Sequence, residues 1–294
     1  MKGKVVKNIA DKFEILQDSG ERIVGCVARG NLKQKGKVVV GDNVVFEMIE
    51  TQQPVIVQIE ERKNSFVRPP IANIDIMLIV ISEKPKPDFL LVDKLIINCE
   101  KNNVLPFIVI NKEDVSSEKF ISEVKETYVG SGVEILIVSA KNESGKEKLI
   151  AKIKNSLVCL AGQSAVGKSS LMNMVLERNE KVGELSKKIE RGKNTTRHAE
   201  VFYNEDRSIL IADTAGFSKF DALDVKYNEI EHYYKEFGKF RDGCMYKPCS
   251  HIFEKDEECA VKSALNGCKI NKNRYNNYKQ LYIQIKNMWE NRYE

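Results

Sequence analysis

The chain has 294 residues, of which 30% are charged and 42% hydrophobic, a balance that suits a globular protein built as a central domain with two smaller ones. Its net charge of +5, from 47 basic and 42 acidic residues, is too small an excess to argue for a nucleic-acid partner by itself, and no apolar run approaches the roughly 20 residues of a membrane helix. Met1-Lys2-Gly3-Lys4 leads into alternating polar and apolar residues without a signal-peptide core, so a cytoplasmic protein with no membrane contact is expected.

Short alternating strands are predicted over 3–9, 12–16, 22–27, 43–48 and 54–59, separated by turn signals such as Asp18-Ser19-Gly20 and Gly41-Asp42-Asn43. Five such strands in so few residues predict a small closed barrel of the OB type, with an SH3-like barrel as the alternative. Arg68-Pro69-Pro70 breaks the pattern and marks a linker. From Ile74 strands at 74–81, 107–110, 134–138, 157–160, 199–203 and 208–212 alternate with helical stretches at 89–99 and 120–128, a short helix ending at Ile153, and another from Ser169 through Leu176. Apolar strands bounded by helices predict an α/β fold, a mostly parallel sheet covered on both faces. After about Asp221 the sequence turns helical and aromatic-rich, and in a final helix at 273–289 Tyr275, Tyr278, Tyr282, Ile285 and Trp289 recur at helical spacing, read as a core-facing stripe rather than a base-stacking surface. The expected domains are therefore 1–66, an RNA-binding barrel, 67–221, a nucleotide-binding domain, and 222–294, a metal-binding helical module. Two basic clusters in predicted loops raise the odds of a phosphate-backbone partner. They are Arg29, Lys33, Lys35 and Lys37, and Lys187, Lys188, Arg191, Lys193 and Arg197.

Asn111-Lys112-Glu113-Asp114 follows the strand at 107–110 and reads as the guanine-specifying N-K-x-D. Asp114 can accept from guanine N1–H and N2–H₂, groups adenine lacks, and the wrong base would leave its carboxylate unpaired. Ser139-Ala140-Lys141, after the strand at 134–138, can support the guanine O6 through backbone N–H groups. Gly162-Gln163-Ser164-Ala165-Val166-Gly167-Lys168-Ser169, with Ser170 following, is a full G-x-x-x-x-G-K-[ST] phosphate loop between a buried strand and a helix. Its glycines let backbone N–H groups converge on phosphates, Lys168 bridges β- and γ-phosphate oxygens, and the Ser169 hydroxyl binds Mg²⁺. Asp213-Thr214-Ala215-Gly216 supplies a Mg²⁺-linked carboxylate and a glycine N–H that senses the γ-phosphate, while Thr195 and Thr196 are both candidates for the switch threonine. Phe217 stands where many GTPases place a water-orienting glutamine, which predicts slow hydrolysis until a partner completes the site, unless water is oriented elsewhere in the chain. In an ordinary GTPase the phosphate loop comes first; here it follows the base-reading motif, and that order predicts a circularly permuted GTP-binding domain.

Cys26, Cys99 and Cys159 lie singly in apolar stretches and read as small buried hydrophobes. Cys244, Cys249, His251 and Cys259 offer three thiolates and an imidazole, a set that suits one tetrahedral Zn²⁺ per chain. Cys268 is a fifth candidate.

Together these features resemble the RsgA family (also called YjeQ or YloQ), bacterial GTPases that depend on the small ribosomal subunit. The resemblance rests on 111–114, 162–170, Arg191-Gly192-Lys193-Asn194-Thr195-Thr196-Arg197-His198, 213–217, the cysteine–histidine cluster and Arg274-Tyr275-x-x-Tyr278, and it covers essentially the whole chain. It implies a GTPase, with GTP or GDP, Mg²⁺ and Zn²⁺ as ligands, that binds the small ribosomal subunit and its rRNA as a monomer. It further implies assistance in late maturation of that particle, with hydrolysis stimulated by the subunit and linked to release. Three positions depart from the family pattern. Ala165 replaces a usual glycine, Asn194 replaces a common histidine whose proposed role in hydrolysis does not carry over, and the spacing from His251 to Cys259 is longer than usual, which leaves Cys259 and Cys268 both open as the last ligand.

Overall fold

The computed structural model describes residues 1–30, 32, 37–50, 52–67, 69–177, 199–213 and 223–291. Strands β1 (Lys2–Ile9), β2 (Lys12–Gln17), β3 (Arg22–Ala28), β4 (Asn43–Glu47) and β5 (Val55–Ile59) fall where the period-two patterning predicts them. They pair in the order β1-β2-β3-β5-β4 and close through β1 and β4, with β3 and β5 parallel. This is the five-stranded barrel of the OB type. Alternate residues point inward, so Val5, Phe13, Ile15, Cys26, Val44, Phe46 and Ile56 fill the interior.

The stretch read as a linker is more ordered than its prolines suggest. β6 (Ser65–Phe66) and β7 (Ile71–Ala72) pair as a small antiparallel hairpin, with Pro69 and Pro70 in its turn and Arg68 outside the described residues. Asn64 ties its base together, its amide donating to Ile74 O at 2.8 Å and its Oδ1 accepting from Ile74 N at 2.9 Å. Two-residue strands carry too little periodicity to be seen in a sequence.

The central sheet runs β10 (Glu134–Ile137), β9 (Leu105–Ile110), β8 (Ile76–Ile81), β11 (Leu157–Ala161), β13 (Ile209–Asp213) and β12 (Glu200–Asn204). All neighbours are parallel except β12, which is antiparallel to β13. Every residue of β8 and β11 is buried, as strands covered on both faces require. Helices α1 (Phe89–Lys101) and α2 (Glu118–Thr127) cover one face through Leu95, Ile96, Phe120 and Val124. Helices α3 (Lys146–Ile153) and α4 (Lys168–Leu176) cover the other through Leu149, Ile153, Leu171 and Val175. Beyond β12 the sheet does not stop: β12 pairs antiparallel with β1, Lys7 opposite Glu200, so barrel and central sheet form one eleven-stranded sheet.

The C-terminal part consists of 3-10 helices at Tyr227–Tyr233, Lys235–Phe237 and Arg241–Gly243, then α5 (Ala260–Asn266) and α6 (Lys272–Glu290). Most of the predicted aromatic stripe of α6 is buried: Tyr275, Tyr278, Tyr282 and Ile285 pack with Phe237, Ile252 and Cys259, and Trp289 packs half-buried against them. Arg274 on the same helix is 1% exposed. Its guanidinium bonds to Asp93 of α1 and to Glu236 at 2.7 Å, and lies over the Tyr234 ring at 4.3 Å. Among the described residues no helix is long and apolar enough to cross a membrane.

Candidate functional site

Parallel strands put their C-terminal ends on one edge, where ligands bind in open α/β sheets. There the loops after β9, β10 and β11 surround a cavity of about 780 Å³, lined among others by Asn111, Lys112, Asp114, Ser139, Lys141 and Gly167. The loop between β11 and α4 holds Gly162, Gln163, Ser164, Ala165, Val166 and Gly167, and its chain direction requires two glycines. Gly162 has φ +126°, and a Cβ there would meet Val80 O at 2.2 Å; Gly167 has φ +92°, and a Cβ would meet the Asn111 amide at 2.4 Å. Lys168, Ser169 and Ser170 form the first turn of α4, whose free N–H groups face the loop. The Lys168 ammonium is tethered inside the loop, donating to Gly162 O at 2.8 Å and Gln163 O at 2.6 Å. Burial lowers the Lys168 pKa below the ordinary lysine value, opposed by the carboxylate of Asp213 at the end of β13. Burial foremost, then Glu200, raises the Asp213 pKa, opposed by Lys168. Thr195, Thr196, Gly216 and Phe217 lie outside the described residues.

Two sequence motifs that are far apart in the chain are bonded to each other here. The Asn111 amide donates to Val166 O at 2.9 Å and the Lys112 ammonium to Ala165 O at 2.7 Å. On its other side Asn111 Oδ1 accepts from Ala140 N at 3.1 Å, so one of the N–H groups expected to support a guanine O6 is engaged within the protein. The Asp114 carboxylate accepts from Ser139 Oγ at 2.6 Å and lies 3.8 Å from the Lys141 ammonium, which fixes its orientation toward the cavity rim. Two partners were not legible in the motifs. Ser144 Oγ donates to Glu113 at 2.5 Å and its carbonyl accepts from Ser139 N at 3.0 Å, so the variable position of N-K-x-D anchors the 139–144 loop. Gln163 Oε1 accepts from Asp88 N at 2.9 Å, which joins the phosphate loop to the N-cap of α1.

The second constellation is buried in the C-terminal part. Cys244, Cys249, His251 and Cys259 place their ligand atoms within 4.8 Å of one another. Cys259 Sγ lies 3.9 Å from Cys244 Sγ, 3.8 Å from Cys249 Sγ and 3.4 Å from His251 Nδ1, and Cys244 Sγ lies 3.6 Å from that nitrogen. A tetrahedron with Zn–S of about 2.3 Å and Zn–N of about 2.05 Å has edges of about 3.8 and about 3.5 Å, so the donor set fits Zn²⁺ in type and in spacing. The other imidazole nitrogen, Nε2, is 2.6 Å from the Glu231 carboxylate, the outer carboxylate that orients metal-bound histidines. Nothing near His251 in sequence signals Glu231. Tyr275 and Tyr278 hydroxyls donate to His251 O at 2.6 Å and Ser250 O at 2.7 Å. Cys268 is exposed and outside the cluster, which includes Cys259.

A model of the RsgA GTPase matches residues 59–223 and a model of the RsgA N-terminal domain matches residues 2–56. The chain is 36% identical over 291 residues to the small ribosomal subunit biogenesis GTPase RsgA of Ruminiclostridium cellulolyticum, covering 97% of this chain and 94% of that one. The chain belongs to the RsgA GTPase family. The crystal structure of YjeQ from Thermotoga maritima matches with a TM-score of 0.81 at 31% identity, over 97% of this chain and 98% of that one. YloQ, described as a circularly permuted GTPase, matches with a TM-score of 0.78 at 29% identity, over 98% and 95%. Like other RsgA proteins the chain is thus a circularly permuted GTP hydrolase.

Its departure from the family glycine at Ala165 now has a physical reading. Ala165 sits at φ 65°, left-handed backbone that costs a side-chain-bearing residue about 1–2 kcal/mol relative to glycine. The metal cluster leads to a direct test. Cys249→Ser is expected to lose the copurifying Zn²⁺, otherwise one per chain, and to destabilise the C-terminal part while GTP binding persists, since metal-binding energy in such sites is folding energy. Full zinc content by atomic absorption in Cys249→Ser would refute its ligand role.

Proposed function

We propose that this chain binds the small ribosomal subunit and its rRNA, assists its late maturation in the cytoplasm, and hydrolyses GTP with stimulation by the subunit, coupled to release. The observation that carries the nucleotide half is the bonding of 111–112 to 165–166, which ties the base-reading and phosphate-binding elements to the same cavity. In this reading Asp114 takes the guanine N1–H and N2–H₂, with Asn111, Lys112, Glu113, Ser139, Ala140 and Lys141 forming the base-side wall. Residues 162–170 wrap the phosphates, and Lys168 neutralises the β- and γ-oxygens. Ser169 and Asp213 are hard oxygen donors at the end of the same loop and strand, a set that suits Mg²⁺. Held by them, Mg²⁺ would supply charge neutralisation for the phosphate oxygens. Thr195 or Thr196, and Gly216, would complete the γ-phosphate side. The proposed division of labour is 1–66 for rRNA contact, 67–221 for GTP, and 222–294 as a zinc-held module, in a monomeric protein.

The particle half is supported by the Ruminiclostridium relative, a small ribosomal subunit biogenesis GTPase. It is tested by measuring GTP turnover with and without purified small and large subunits, and by pelleting the protein with each. Stimulation and co-sedimentation specific to the small subunit are expected; equal behaviour with both subunits would overturn the assignment. The base assignment has its own test. Asp114→Asn would present an amide donor to the guanine donors, so binding is expected to shift from guanine toward xanthine nucleotides. Unaltered guanine selectivity in a competition titration would show that Asp114 does not read the base.

A further inference from the structure

The pairing of β12 with the barrel lines up charges that the nucleotide motifs do not include. Lys7 of β1 stands opposite Glu200 of β12, and Glu200 stands opposite Asp213 of β13. Directly opposed residues in antiparallel pairs project to the same face with Cβ atoms about 5 Å apart. The row therefore runs cation, anion, anion. Only the outer pair is closed by a direct bond: Lys7 Nζ sits 2.8 Å from Glu200 Oε1, across 193 residues of sequence. Two strand spacings place Lys7 about 10 Å from Asp213.

Without Lys7, Glu200 would be an uncompensated negative charge beside the end of β13, where a polyanionic nucleotide has to bind. We propose that Lys7 is a positioning residue for the nucleotide site, contributed by the barrel: it draws the Glu200 carboxylate away from Asp213 and cancels its charge, so that the phosphate-loop side of the site stays receptive to GTP. The same pair holds β12 in register with β1. The barrel is then a supporting wall of the GTP site as well as a separate module. This rests on the cavity being the GTP site.

The test is equilibrium binding of a fluorescent GTP analogue and its GDP counterpart to the full-length protein, at low salt, with and without Mg²⁺. Lys7→Met is expected to weaken GTP-analogue binding by about threefold to tenfold, the range for one unscreened charge near 10 Å. GDP, with less charge, should lose less, and added salt should shrink the difference. Lys7→Arg should bind as the parent protein does. The deciding variant is Lys7→Met combined with Glu200→Gln: removing both charges should restore affinity. Unchanged GTP binding in Lys7→Met would overturn the proposal. So would a double variant as weak as Lys7→Met, because the lost contribution would then be strand pairing and not charge. Failure of the parent protein to bind GTP at all would instead overturn the assignment of the cavity.

Discussion

Lys168→Ala is expected to reduce GTP turnover by about 10²–10³-fold, the loss seen when one preorganised charge or donor aimed at transition-state charge is removed. The side chain is held for this task before any phosphate arrives. Its ammonium is fixed to two carbonyls of its own loop, and burial lowers its pKa, so it has little competing hydration to give up when a phosphate oxygen replaces a carbonyl. The replacement should also weaken GTP more than GDP, since the γ-phosphate loses a direct partner. Turnover and nucleotide titrations on the same preparation check both points, and unchanged turnover in Lys168→Ala would remove this lysine from the chemistry.

Arg274→Met is expected to lower the stability of the C-terminal part by about 3–5 kcal/mol, the penalty for stripping one partner from a buried ion pair. The surroundings explain why it sits at the upper end of single-residue effects. Arg274 lies between Asp93, which is fully buried, and Glu236, 7% exposed. Asp93 also accepts from Tyr128 at 3.0 Å and Asn277 at 2.8 Å, a network arranged around an anion. Methionine fills similar volume but leaves two carboxylates facing each other without a cation. Adding Asp93→Asn and Glu236→Gln should recover part of the loss, because no buried charge then remains. Urea unfolding followed through metal release measures both; a midpoint unmoved by Arg274→Met would mean the pair contributes no net stability. Because Asp93 belongs to α1, whose N-cap Asp88 bonds to Gln163 of the phosphate loop, the same variant should loosen the nucleotide site while leaving its motifs intact.

Much of this molecule is legible in one dimension because its chemistry is local. The phosphate loop works through consecutive backbone N–H groups, so 162–170 had to appear as a contiguous pattern, with glycine at the two positions where a Cβ would meet Val80 and Asn111. The barrel strands announced themselves through period-two alternation, and β8 and β11 through unbroken apolar runs. The order of the motifs was enough to predict the permutation, since order is a property of sequence alone. The cysteines were visible as a cluster, but the choice between Cys259 and Cys268 was not, because ligation depends on distances near 3.8 Å that spacing does not encode.

What only the tertiary structure decided are the partners that meet across long stretches of chain. Glu231 behind His251, Ser144 behind Glu113, Arg274 between Asp93 and Glu236, and Lys7 against Glu200 each join residues whose sequence surroundings do not announce the partner. Their pairing follows from strand order and helix packing, and the electrostatic value of each depends on burial and separation. The sequence by itself determined the fold class, the base and phosphate motifs and the presence of a cysteine–histidine cluster, since each is built from a short run with its own periodicity or spacing. Folding decided which charges face one another, because Coulomb interactions act through space and are set by the distance and the medium between groups, not by their separation along the chain.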